Sequence, residues 1–172
     1  MPPRTGSVAP VRTESDLATA RRLFREYRRE IGVDLGFQGF DAELAGLPGE
    51  YRPPGGGLWL ARAGDRVVGC GALRPFARGI GEMKRLYVRP AARGQGWGRR
   101  LAVTIVARAR AAGYRALVLD TLATMDAARS LYRALGFRET APYRYNPLAG
   151  ARYYRLDFGA RAPGAHGRGT AK

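Results

Sequence analysis

Apolar residues change their spacing several times along the chain, and the changes divide it into alternating elements. Val8 to Arg12 reads as a short strand. Leu17, Ala20, Phe24, Tyr27 and Ile31 then recur at the spacing of a helix face, with Thr13 and Asp16 placed to form a capping box at its start. The pattern weakens from Gly32 to Gly57, where Phe37 to Leu47 can hold a short helix and Pro48 to Gly57 reads as a loop. Leu58 to Ala63 and Val67 to Leu73 are strand-like runs joined by Ala63-Gly64-Asp65, which predicts a β-hairpin. Phe76 to Gly81 supplies the next turn and Glu82 to Val88 the next strand, which Pro90 ends. A helix from Arg99 to Ala112 stops at Gly113, a residue suited to a left-handed C-terminal cap. Ala116 to Asp120 is an apolar strand, Asp126 to Leu135 a helix stopped by Gly136, and Arg152 to Phe158 a last strand.

This order predicts an α/β (α+β) domain, with a mixed, mostly antiparallel sheet of about six to seven strands flanked by about four helices. Three consecutive antiparallel strands argue against a doubly wound parallel sheet. Residues 1–7 are expected to be a flexible start, 8–159 one folded domain, and 160–172 a disordered tail with nothing large and apolar to bury.

Composition narrows the class. A length of 172 residues fits one domain. The single cysteine, Cys70, excludes an intramolecular disulfide or a cysteine-built zinc site. No apolar run approaches the ~18 residues of a membrane span, and Met1 to Gly6 lacks an apolar signal core. The expectation is a cytoplasmic protein with no metal and no membrane partner.

Thirty basic residues against fourteen acidic ones give a net charge of +16. Nucleic-acid binders cluster such charge and interleave aromatic residues. Here the densest group, Arg21, Arg22, Arg25, Arg28 and Arg29, lies on a predicted helix opposite its apolar face, mixed with Glu26 and Glu30. A solvated face explains it, and no nucleic-acid partner is expected.

The candidate chemistry begins at Arg93-Gly94-Gln95-Gly96-Trp97-Gly98, between a strand and a helix. The first amides of a helix lack internal partners and lie at the positive end of its dipole, so this junction favours an anion. Gly-Lys-Ser/Thr is absent, which excludes a Walker loop, and the dinucleotide fingerprint G-x-G-x-x-G fails at Arg99 and Leu101. Asp120 falls near where a ribose-binding acid would lie, but five residues between Val88 and Gly94 are too many for that fingerprint's tight turn.

Arg93-x-x-Gly96-x-Gly98 resembles the R/Q-x-x-G-x-G/A loop of the GNAT superfamily of N-acetyltransferases. Leu86-Tyr87-Val88-Arg89-Pro90 is similar to that family's cofactor strand, and Ala128-x-x-Leu131-Tyr132-x-x-x-Gly136-Phe137 to its later helix. The resemblance runs from Leu58 to Phe137 by motif and from Val8 to Phe158 by element order. It implies acetyl-CoA as co-substrate and a primary amine of a small molecule or peptide as acceptor, attacked directly in a ternary complex. A homodimer is compatible with it. The amides of Arg93, Gly94, Gln95, Gly96, Trp97, Gly98 and Arg99 would hold the pyrophosphate. The backbone of Leu86, Tyr87 and Val88 would line the pantetheine arm. Met125 stands where many relatives carry a cofactor-contacting asparagine.

The resemblance also implies Tyr132 as the acid that protonates the departing thiolate and Glu82 as the base that takes the amine's proton. Read alone, Tyr132 lies on an apolar helix stripe with Ala128, Leu131 and Leu135, and Glu82 starts an edge-like strand where a carboxylate is usually solvated. Strand alternation places Glu82 on the face of Lys84, Leu86 and Val88 unless a bulge intervenes; Lys84 nearby would lower its pKa. Tyr143, Tyr145 and Asn146 on one side, and Phe37 and Phe40 on the other, are candidates for the acceptor walls. His166 falls in the tail, and Cys70 reads as a small buried residue. The alternatives are a CoA-binding regulatory module without catalysis and a nucleic-acid binder.

Overall fold

A computed structural model describes residues 5–159, apart from the side chain of Phe37. Strand β1 (Gly6–Pro10) leads into helix α1 (Glu14–Ile31), whose start carries the expected capping box between Thr13 and Asp16 and whose end is capped by left-handed Gly32. The short helix α2 (Phe40–Gly46) follows, then the meander β2 (Gly57–Ala63), β3 (Arg66–Ala77) and β4 (Ile80–Val88). Helix α3 (Trp97–Ala111), β5 (Ala116–Leu122), α4 (Asp126–Ala134), β6 (Arg138–Thr140) and β7 (Ala151–Asp157) complete the fold.

The seven strands form one sheet in the order β1-β2-β3-β4-β5-β7-β6, antiparallel except between β4 and β5. Alternation along β2 shows how the two faces are filled. Leu58 and Leu60 pack with Ala20, Leu23 and Phe24 of α1, while Trp59 and Ala61 pack with Leu101 and Ile105 of α3. Gly69 is required by close approach, because a Cβ there would lie 2.6 Å from the Tyr87 carbonyl oxygen.

Three differences from the sequence pattern matter. Gly6 and Ser7, expected in a flexible start, pair with Ala63 and Arg62 on β2, and Gly6 leaves the space the Trp97 ring fills. Strand β3 runs on through Phe76 to Ala77, so the turn is shorter than expected. The three-residue β6 carries no apolar pattern and was not predicted. Residues 1–4, the tail 160–172 and His166 lie outside the described residues. No helix among the described residues is long and apolar enough to cross a membrane, and no cluster of three or more His, Cys, Asp or Glu there could hold a metal.

Two features of β4 create the site. Its pairing with β3 steps from Ala72↔Lys84 to Cys70↔Tyr87, two residues against three, so β4 bulges there. Arg85 takes a left-handed φ of 57° at the bulge, which costs an ordinary residue about 1–2 kcal/mol. It is held by two bonds from its guanidinium to Glu43, at 2.8 and 3.1 Å, and by the Cys70 thiol donating to its carbonyl at 3.3 Å. The bulge corrects the expected alternation. Tyr87 packs with α1 and Lys84 reaches Gln38 in the segment between α1 and α2, whereas Leu86 and Val88, expected on the face of Glu82 and Lys84, pack toward α3. Moreover, β4 and β5 pair only from Ile80 to Glu82, opposite Ala116 to Val118, and separate beyond.

Candidate active site

The split between β4 and β5 opens into a cleft of ≈ 680 Å³, walled by Leu86 and Val88 on one side and by Met125, Ala128 and Leu131 on the other. Its outer end is the glycine loop. Gly94 and Gly96 adopt left-handed φ angles of 74° and 85°, and a Cβ on either would meet nothing within 4 Å. The amides of Gly94, Gln95, Gly96, Trp97, Gly98 and Arg99 find no acceptor among the described residues; the first bond of the turn is Arg100 N–H to the Gly96 carbonyl, at 3.1 Å. A row of free amides at the start of a fifteen-residue helix suits phosphate oxygens. The cradle therefore fits the pyrophosphate of a CoA ester.

The expected cofactor residues divide by how they contribute. Gly94, Gly96, Gly98, Arg93 and Arg99 line the cleft. Trp97 lines it too, but its ring is buried in the core beneath Arg100. Gln95 is exposed and bonds only to the Ala91 carbonyl, at 3.5 Å. Arg93 reaches back to the Val88 carbonyl at 3.0 Å and pairs with Glu30 of α1. The Tyr87 ring turns away against Tyr27, and its phenol is pushed up to about 12, chiefly by desolvation and then by Glu30. Met125 lines the wall with a thioether in place of an amide; its sulfur accepts from the Thr121 hydroxyl at 3.5 Å.

The cleft narrows inward to a compartment of ≈ 50 Å³, sharing Tyr27, Ile31, Leu86, Leu122 and Met125 with the outer part. Its polar lining is Gln38, Lys84, Asp120, Thr121, Tyr132 and Asn146, besides the buried Arg85. Tyr132 packs on Phe137 and Tyr154, with ring centroids 5.8 and 6.0 Å away, and its hydroxyl makes no hydrogen bond to another described residue. Burial, with Tyr27 and Asp120 adding to it, raises its pKa well above the usual range, so the phenol stays protonated.

Glu82 lies elsewhere. It is fully buried, accepts from Arg74 Nε at 2.8 Å, Tyr143 Oη at 2.7 Å and Arg144 Nη2 at 3.0 Å, and is not among the residues lining either part of the split. The solvated carboxylate expected at a strand edge is instead enclosed, because the segment before β7 folds over it. Of the expected acceptor-wall residues, Asn146 lines the compartment and donates to Asp120 at 3.2 Å. Tyr145 is 81% exposed, and Phe40 is core, flanked by the guanidiniums of Arg28 and Arg85. Cys70 is buried with its thiol pushed up by desolvation, as befits a packing residue.

Sequence reasoning passed over Lys84 and Asp120 as site residues. The signals were present: one of only two lysines in an arginine-rich chain, in mid-strand, and a carboxylate ending an apolar run.

The Acetyltransferase (GNAT) family model matches residues 18–137, which span the split, the loop and helix α4. The chain belongs to the GNAT acetyltransferase family. An uncharacterized N-acetyltransferase of Schizosaccharomyces pombe is 42% identical over 159 residues, covering 91% of this chain and 98% of its own. An acetyltransferase from Streptococcus agalactiae shares the fold with a TM-score of 0.72 at 19% identity, over 89% of this chain and 98% of that one. A Salmonella typhimurium protein solved with its cofactor acetyl-CoA gives a TM-score of 0.69 at 20% identity, over 92% and 96%. At those identities the two structures speak to the GNAT fold alone.

Proposed function

We propose that this protein moves an acetyl group from acetyl-CoA to a primary amine by direct attack in a ternary complex. The observation that carries the reading is the joining of two chemistries in one split: free amides that suit a pyrophosphate at the outer end, and a protonated Tyr132 with the Asp120 carboxylate at the inner end. Bound acetyl-CoA supplies an acyl carbon activated as a thioester and a thiolate leaving group.

The chain's own residues supply the rest. An alkyl amine, with a pKa of roughly 10, arrives mostly as ammonium and must lose a proton before it can attack. Asp120 is the carboxylate lining the inner compartment, so it takes that proton directly or through water; Glu82, engaged by two guanidiniums, is replaced in the role. As the C–N bond forms and the C–S bond breaks, Tyr132 Oη donates to the departing sulfur. The burial that keeps this phenol protonated also disfavours its phenolate, so the proton it gives is replaced from the acceptor nitrogen. Glu82 holds Tyr143 and Arg144, and with them the segment that carries Asn146 to Asp120.

Initial rates of thiol release test the reading, with acetyl-CoA and amine varied together. Intersecting double-reciprocal lines and an N-acetylated product are expected. Parallel lines would point to an acetylated enzyme and overturn direct attack, and thiol release independent of any amine would overturn the transfer.

A further inference from the structure

We propose that the acceptor carries its amine and a free carboxylate on one carbon, as an α-amino acid does, with the ammonium on Asp120 and the carboxylate on Lys84. This rests on the acetyl-transfer reading and narrows its acceptor.

Lys84 of β4 and Asp120 of β5 face each other across the split where the two strands no longer pair. Their side chains are 3% and 8% exposed, and both line the inner compartment. The pair is not closed, for Lys84 Nζ stands 4.0 Å from Asp120 Oδ1, beyond hydrogen-bond reach. Lys84 donates to Gln38 Oε1 at 3.1 Å, which uses one of an ammonium's three N–H groups. Asp120 accepts from Asn146 at Oδ2, leaving Oδ1 without a hydrogen-bond partner among the described residues. Two buried charges with spare bonding capacity cost stability as they stand, and a ligand presenting the opposite charges in the opposite order satisfies both. An α-amino acid does so, because its ammonium and carboxylate are fixed side by side on a common carbon.

Other amines fit less well. A polyamine or an aminoglycoside brings only positive charge to a compartment that already holds Lys84 and Arg85, in a chain of net charge +16. A peptide N-terminus replaces the carboxylate by an amide and leaves Lys84 without a counter-charge. Arg85 is the less available cation, since Glu43 already matches its charge through two hydrogen bonds and Gln38 takes a third. The ≈ 50 Å³ compartment admits a head group and little more, and its other walls, Ile31, Leu35 and Leu148, are apolar.

The test uses the intact protein with acetyl-CoA and offers each acceptor in three forms: free amino acid, carboxamide, and the amine lacking the carboxyl group. Side chains should span small, apolar, polar and acidic types. At least one free amino acid should react with kcat/KM about tenfold or more above both partners, the scale of a charged hydrogen bond. Lys84→Met should remove most of that advantage. Should this variant fail to fold, calorimetry of the unaltered protein saturated with CoA should show the free amino acid binding and its carboxamide not. Carboxamides or simple amines reacting as well as the free acids would overturn the inference and leave acetyl transfer standing. No turnover of any form, with acetyl-CoA still raising the melting temperature, would overturn the inference as well. If acetyl-CoA itself gives no melting shift, the failure belongs to the acetyl-transfer reading.

Discussion

The Glu82 carboxylate accepts a hydrogen bond from Arg144 Nη2 at 3.0 Å, tying the first turn of pairing on β4 to the segment before β7. With Arg74 and Tyr143 on the same carboxylate, this is a buried brace beneath the acceptor side of the split. A brace and a base predict different behaviour when the charge is removed.

Glu82→Gln should lower stability by up to about 3–5 kcal/mol, because Arg144 loses its carboxylate partner and Arg74 keeps only the exposed Glu50. Acceptor KM should rise while acetyl-CoA affinity holds. Denaturant melts and steady-state rates across pH check this. A brace leaves the pH profile of kcat unchanged in shape, whereas loss of a base gives activity that recovers as pH rises.

Gly96→Ala and Gly96→Glu separate backbone strain from phosphate contact. Both place a side chain at φ 85°, with the strain of about 1–2 kcal/mol that a left-handed residue carries. Only Glu adds a negative charge in the row of free amides. Acetyl-CoA should raise the melting temperature of the Ala variant and leave that of the Glu variant unmoved. Equal shifts in the two variants would remove the loop as the pyrophosphate site.

Lys84 titrates within reach of ordinary assays. Burial lowers its pKa to about 8, with Arg85 and Arg74 lowering it further and Glu82 and Asp120 opposing them. Below that value the ammonium is charged and holds a carboxylate; above it the hold is lost. Inhibition by an N-acetyl amino acid, which keeps its carboxylate but has no titrating amine, should weaken by up to about tenfold per pH unit above pH 8. The matching N-acetyl amide should bind with no such dependence. A flat profile for both would show that Lys84 does not hold the carboxylate.

Local chemistry was legible in the sequence where a few neighbouring residues decide the outcome. Thr13 and Asp16 close a capping box three residues apart, and Gly94 and Gly96 set a loop whose amides are free for reasons internal to that loop. What depends on distant partners was not legible. The bulge at Arg85 is held by Glu43, 42 positions away, and it reversed the strand alternation on which the placement of Leu86 and Val88 rested. Glu82 was expected to be solvated because the Tyr143 that covers it lies 61 positions on. Lys84 and Asp120 become neighbours only through the parting of β4 from β5, which no periodicity in either strand records.

The central claim is that acetyl transfer takes place at the inner end of this split, with Tyr132 beside the departing sulfur. Tyr132→Phe removes one oxygen that makes no hydrogen bond to another described residue and keeps the ring against Phe137 and Tyr154, so the fold should be retained. The most direct measurement is the single-turnover rate of acetyl transfer in this variant at saturating acetyl-CoA, beside its acetyl-CoA dissociation constant. The account predicts a rate lower by about 10²–10⁴-fold, the usual contribution of a positioned acid, with the dissociation constant unchanged. A single-turnover rate equal to that of the unaltered protein would contradict it.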